Sequence, residues 1–209
     1  MSDNLIDFHR DDVKVLNVQE KYRGFFRVND YELTTKSYRG GWMRPFRREL
    51  MERGTAAGVL VYDRKNDLVL LVEQFRIGAY AAGLEPWSLE VVAGITPPGE
   101  DPLETAIRET AEEAGVTIDR EHTVLFGKFL TSPGGSSETV SVYLSEADLS
   151  HAGGAHGLPE ENEDMRAVVL RLDDALSLLV KGGINNFTTV AALQCLALRL
   201  GRTGAFAAG

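Results

Sequence analysis

Three glutamates, Glu109, Glu112 and Glu113, stand at i, i+3 and i+4 in one short stretch of the chain. On a helix that spacing brings their carboxylates within reach of one another on one face. Like charges so placed destabilise an isolated helix by roughly a few tenths of a kcal/mol per pair. A hard divalent cation would offset that repulsion, because Mg²⁺ takes oxygen ligands and combines a few carboxylates with waters and phosphate oxygens. By itself, however, the pattern is more often a solvated helix face. The surrounding elements have to decide between the two.

The helix is the clearest in the chain. Asp101 suits the N-cap, Pro102 the first helical position, and Glu104 has the spacing of a capping box. Gly115 is placed to stop the helix. At about 100° per residue, Leu103, Ile107, Thr110 and Ala114 form a core-facing stripe, with the three glutamates centred roughly 130° away. Before it, Leu89 to Val92 reads as a short strand ended by Gly94 and the turn Pro97-Pro98-Gly99.

The first fifty residues read as β: Val13 to Gln19, then Phe25 to Thr34 with Asn29-Asp30 as its turn candidate. After Gly40-Gly41 comes Trp42 to Glu52, a strand-like run with Arg44, Arg47 and Arg48, and Arg53 follows it. Ala56 to Tyr62 and Leu68 to Phe75 form a hairpin. Further strands are expected at Thr123 to Leu130, Thr139 to Glu146 and Arg166 to Arg171, with a Gly- and His-rich loop from Ser150 to Asn162. Helical patterns at Asp173 to Val180 and Thr188 to Arg199 close the chain. The expected fold class is α/β, a mixed core with a β-rich N-terminal region at 1–50 and the main domain at 51–209.

The chain has 209 residues, 44% hydrophobic and 25% charged, which suits a globular protein. Its net charge of -9, from 22 Lys+Arg and 31 Asp+Glu, argues against a duplex-DNA binder. It is compatible with an anionic small molecule if local arginines and bound cations overcome the field. No apolar run approaches the roughly 18 residues needed to span a bilayer. With no visible secretory signal and one cysteine, Cys195, a cytoplasmic location is expected. Cys195 reads most simply as core, and His151 and His156 lack a partner at zinc-ligand spacing.

The frame around the glutamates changes the odds. From Gly94 the sequence fits G-x5-E-x7-R-E-U-x-E-E-x-G-U, U being a bulky aliphatic, through Gly94, Glu100, Arg108, Glu109, Glu112, Glu113, Gly115 and Val116. Only Thr110 departs, at the first U. This resembles the Nudix box. From about Tyr22 to Arg199 the chain is similar to bacterial ADP-ribose pyrophosphatases of the Nudix superfamily, through the segments Tyr22–Phe26, Arg47–Glu49, Glu52–Gly54, Glu73–Arg76, Ser132–Gly135 with Glu138, and His156–Leu158 with Glu160–Arg166. Pro133 follows the box after sixteen intervening residues, like the proline marker of ADP-sugar-hydrolysing members.

The resemblance implies a Nudix α/β/α sandwich with a mixed sheet, plus a small N-terminal antiparallel β region. It implies two or three Mg²⁺ ions, replaceable by Mn²⁺, held by Glu109, Glu113 and the Ala93 carbonyl, with Glu112 as ligand or orienting group and Glu163 joining when substrate binds. Glu161 matches the general base. Arg108 would restrain the carboxylates, while Glu100, Gly94 and Gly115 would be structural. Substrate contacts fall on Phe25, Phe26, Arg48, Glu49, Arg53, Arg76, Ser132, Pro133, Gly134 and Glu138. Phe25 would offer a face to adenine, with the guanidinium of Arg48 stacked opposite; ordinary core packing is the plain alternative for Phe25 and Phe26. The implied reaction is hydrolysis of ADP-ribose to AMP and ribose 5-phosphate. Another nucleoside diphosphate sugar such as GDP-mannose is the alternative substrate, and a non-catalytic ADP-ribose sensor a third reading. A homodimer with exchanged N-terminal β segments is expected, and no nucleic-acid or membrane partner.

Overall fold

The computed structural model describes residues 6–158, 162–202 and 204. The chain divides into two compact units, Met1–Gly54 with Ser132–Glu138, and Thr55–Thr131 with Thr139–Gly209.

The first unit is built on an antiparallel sheet of β1 (Val13–Arg23), β2 (Arg27–Thr35) and β3 (Phe46–Glu52), in that order. The turn between β1 and β2 lies at residues 24–26, where the Gly24 N–H donates to the Phe26 carbonyl at 2.8 Å. A Cβ at Gly24 would lie 2.2 Å from the hydroxyl of the exposed Tyr22 side chain, which packs over the glycine at the tip. The expected turn at Asn29-Asp30 is not there: both residues lie inside β2, opposite Glu20 and Gln19. Cross-strand pairing outweighs their turn preference. Asp30 is buried, with Arg47 at 3.6 Å and Lys21 at 3.7 Å. Gly40 and Gly41 turn the chain at positive φ, and β3 begins at Phe46 rather than Trp42 because Pro45 lacks a ladder donor. The segment 132–138 joins β3 through Met51 N–H to Gly135 and Ser137 N–H to Met51, at 2.9 and 3.1 Å.

The second unit is a sandwich. Its sheet contains β4 (Thr55–Asp63), β5 (Leu68–Phe75), β6 (Trp87–Glu90), β7 (Val92–Thr96), β8 (Thr123–Leu130), β9 (Thr139–Glu146), β10 (Gly154–His156) and β11 (Met165–Arg171). The strand order is β10-β11-β5-β4-β9-β8, with only β4 and β9 parallel along it. β4 and β5 pair over three residues each at the hairpin and then diverge; β6 continues on β5 and β7 on β4. The single strand expected at Leu89–Val92 is therefore two, and Gly94 lies inside β7 instead of ending a strand. The Gly- and His-rich segment likewise carries a short strand, β10, where a loop is expected, because it finds the free edge of β11.

Alternation along the central strands feeds two cores. Val59, Val61, Leu70 and Val72 pack with Leu103, Ala106 and Ala114 of α2 (Pro102–Ala114). Leu60, Tyr62, Val69 and Leu71 pack with α3 (Leu172–Val180) and α4 (Phe187–Arg199). The Nudix-type α/β/α layering follows. Asp101 caps α2 by accepting from Leu103 N–H at 3.1 Å, and Gly115 ends it at φ 63°. Glu104 pairs with Arg120 instead of closing a capping box. Thr110, the departure from the box, is fully buried and donates its hydroxyl to the Ala106 carbonyl at 2.7 Å, so it enters the core with its polarity satisfied. Cys195 is half-buried on α4 rather than deep core.

Candidate active site

In the second unit, α2 and β7 are tied together at the box. Glu113 is 3% exposed, and its Oε2 accepts from the Ala93 N–H at 3.2 Å. Burial, opposed by that hydrogen bond and reinforced by the charges of Glu109 and Glu163, pushes its carboxyl up to about 8. Glu109 is half-buried. Burial raises its carboxyl also; Arg108 opposes this, while Glu112 and Glu163 add to it. Arg108 Nη1 stands 2.9 Å from both Glu109 and Glu112. A Cβ on Gly94 would lie 2.0 Å from the Glu109 carboxylate, so glycine is what lets that carboxylate lie against β7. Glu100 accepts from the Thr105 hydroxyl at 2.6 Å, and Thr105 reaches Thr96 at 3.2 Å, joining strand end to helix start.

Outside the box, the cation Arg76 neighbours the acid cluster. Arg76, just before the short helix α1 (Ile77–Ala81), donates its fork to Glu90 at 2.9–3.2 Å. Burial works against its charge, yet Glu90, Glu113 and Glu163 together outweigh burial, and the guanidinium is held above its ordinary pKa. The structure thus brings Glu109, Glu113, Glu163 and Arg76 into one electrostatic neighbourhood. Glu90, 4% exposed on β6, escapes a sequence reading; its signal was a carboxylate on the inward phase of a strand. Glu161 lies outside the described residues.

In the first unit, Arg53 pairs with Glu138 at 2.9 Å, and its guanidinium lies over the Phe26 ring at 5.2 Å. Phe25 is 80% exposed at the hairpin tip, edge-on to Phe26, so it is no core residue. Arg48 lies over Phe46 at 4.7 Å, two residues away on its own strand, and donates to the Arg47 carbonyl. Period-two alternation on β3 brings Arg48 and Phe46 to one face. Glu49 is exposed opposite Asp30. Ser132, Pro133 and Gly134 form an exposed turn closed by Gly135 N–H to Ser132 at 3.1 Å. Glu52, also unforeseen, accepts from Ser137 and Tyr31, both at 2.8 Å; these bonds hold its carboxyl below the usual range. A cavity of about 480 Å³ lined by Phe8, His9, Tyr38 and Arg39 among others includes no box residue.

The NUDIX domain matches residues 52–191. The chain belongs to the Nudix family. This Nudix chain is 42% identical over 197 residues to an ADP-ribose pyrophosphatase of Escherichia coli (strain K12), covering 94% of this chain and 93% of the relative. It is 38% identical over 194 residues to an ADP-ribose pyrophosphatase of Haemophilus influenzae, covering 91% and 88%. A GDP-mannose pyrophosphatase of Cronobacter sakazakii is 33% identical over 172 residues, covering 81% and 85%. A solved structure described as an ADP compounds hydrolase shares the Nudix chain's fold, with a TM-score of 0.66 at 22% identity over 93% of this chain and 97% of that one.

The box residues of this Nudix chain fit a hard divalent cation in their chemistry. They offer carboxylate oxygens, one of them raised chiefly by burial and further by its acidic neighbours, with Gly94 making room for another. Among the described residues, no three His, Cys, Asp or Glu side chains form a ready metal cage. Arg108 supplies the counter-charge that Glu109 and Glu112 now have.

Proposed function

We propose that this Nudix pyrophosphohydrolase cleaves the diphosphate of ADP-ribose to AMP and ribose 5-phosphate, with Mg²⁺ as cofactor. The observation that carries the substrate is the 42% identity to ADP-ribose pyrophosphatases, which extends over nearly the whole chain and so beyond the matched domain. Likeness to GDP-mannose pyrophosphatases makes another nucleoside diphosphate sugar the second reading. The discriminating experiment is a panel of nucleoside diphosphate sugars with Mg²⁺, products read by chromatography. ADP-ribose should be turned over with the highest kcat/KM, and preference for GDP-mannose would overturn the substrate assignment.

Glu109 and Glu113, with the Ala93 carbonyl, would hold Mg²⁺, or Mn²⁺ in its place, and Glu112 and Glu163 would assist with two or three ions. When bound, these ions supply positive charge against the phosphoryl oxygens and acidify water. Glu161 takes the proton of the attacking water onto its carboxylate. Arg76, anchored by Glu90, donates to the anionic substrate, as does Arg53. Phe25 and Phe26 offer ring faces to the base; Arg48, Glu49, Ser132, Pro133, Gly134 and Glu138 complete the proposed contacts. Arg108 restrains the box carboxylates, and Gly94, Glu100 and Gly115 fix the strand–helix geometry.

The active species is a homodimer in this proposal. β1 is an edge strand exposed along all eleven residues, with Val13, Val15, Leu16, Val18 and Tyr22 uncovered. A long exposed apolar edge is a surface that proteins ordinarily cover.

A further inference from the structure

Gln74 is 7% exposed, yet its side-chain Nε2 has no hydrogen-bond partner among the described residues. A buried donor left unpaired costs free energy, and folded chains avoid it almost everywhere. The register of β5 sets Gln74 between Met165 of β11 and Ser88 of β6. Met165 offers only a thioether, a weak acceptor. The Ser88 hydroxyl donates to Asn185 at 3.5 Å and accepts no hydrogen bond from the Gln74 amide. Neither neighbour supplies what the amide lacks.

The position of that donor points to its use. Alternation puts Gln74 on the same sheet face as Val72 before it and Arg76 after it. Val72 packs in the core that contains Leu103, Ala106 and Ala114 of α2, the helix of Glu109 and Glu113. Glu90, the anchor of Arg76, stands opposite Val72 in register. Met165, opposite Gln74, comes two residues after Glu163. Gln74 therefore lies on the face of the sheet that packs against α2, with Glu90 and Arg76 at neighbouring positions of the same face. Among the described residues no oxygen acceptor meets its side-chain N–H, and an oxygen of a bound ligand would.

We propose that Gln74 donates a hydrogen bond to a phosphate or sugar oxygen of the bound nucleoside diphosphate sugar. The inference rests on the hydrolase reading above. It makes Gln74 a substrate-binding residue whose donor is unsatisfied only while the substrate is absent. Removing the donor should then help the free protein and harm the complex, two effects of opposite sign. A purely structural glutamine would give the reverse: lower stability with unchanged substrate binding.

The test uses Gln74→Met, which keeps the unbranched stem, and Gln74→Leu as a second apolar variant. Without substrate, at least one should melt about 2–4 °C above wild type. With ADP-ribose and Mg²⁺, both should show KM raised about ten- to a hundredfold, the loss of a hydrogen bond to a charged group, with kcat within about threefold. Unchanged KM in both variants beside an active wild type overturns this proposal alone. Melting temperatures lowered in both variants also overturn it, since the amide would then be paired in the free protein. A wild type that hydrolyses no nucleoside diphosphate sugar overturns the hydrolase reading and this proposal with it.

Discussion

Burial and charge conflict most directly at Glu113. Its carboxyl is pushed up to about 8, chiefly by burial, from an ordinary value of 4.5. Between those two values the folded chain keeps a proton that the unfolded chain has released. Stability of the metal-free protein must then fall as pH rises through this window, with a slope from this group of up to about 1.4 kcal/mol per pH unit. Denaturant unfolding in chelator from pH 5 to 9 should show that slope in wild type and a flatter one in Glu113→Gln; identical slopes would refute the assignment. In catalysis, Glu113→Gln should lower kcat far more than it weakens substrate affinity, because the ions act mainly on the transition state. Chelator should abolish wild-type activity and Mg²⁺ or Mn²⁺ restore it. Glu161→Gln should cost about 10²–10⁴ in kcat while substrate and Mg²⁺ binding persist, with Glu160→Gln as a mild control. Single-turnover hydrolysis beside calorimetric binding separates these outcomes, and equal losses at both positions would move the base elsewhere.

At the scale of elements, α2 depends on what happens at its two ends. Its start is held by Asp101, and by Glu100 through Thr105 and Thr96. Its end depends on Gly115, which is left-handed and lies directly under His156 of β10: a Cβ there would come 2.9 Å from the ring carbon Cε1. Gly115→Ala combines a conformational penalty with a collision, and should destabilise by about 1–3 kcal/mol. His156→Ala in the same chain should recover the steric part and leave the conformational part, a coupling that a double-mutant cycle by denaturant unfolding reads directly. Strict additivity of the two substitutions would show that the ring moves aside freely.

For the whole molecule, the question is what covers β1. Sedimentation should find a dimer at working concentration, and charges introduced at the exposed apolar positions, Val15→Glu with Val18→Glu, should give a monomer with lost activity. A fully active monomer would contradict the proposed assembly. Deletion of residues 1–50 should likewise abolish activity. It would also cut through β3 and strand the segment 132–138, which bonds to Met51.

The box was legible in the sequence because its residues are local: one helix of 3.6-residue period, one cap, one stop and a run of glutamates at fixed spacing determine which faces meet the core and which gather charge. The helix bounds, the strand alternation and the family resemblance all follow from such short-range patterns. What only the tertiary structure decided are choices between competing partners. Asn29-Asp30 reads as a turn until β1 and β3 pair across it; Leu89–Val92 reads as one strand until β4 and β5 diverge and each takes part of it. Glu90 anchors Arg76, and Gln74 is left without a partner among the described residues, because register, not spacing, sets which side chains meet across strands. The burial that raises Glu113 is of the same kind: a sequence places a carboxylate on a helix face, and only the packed sheet beneath it removes the water.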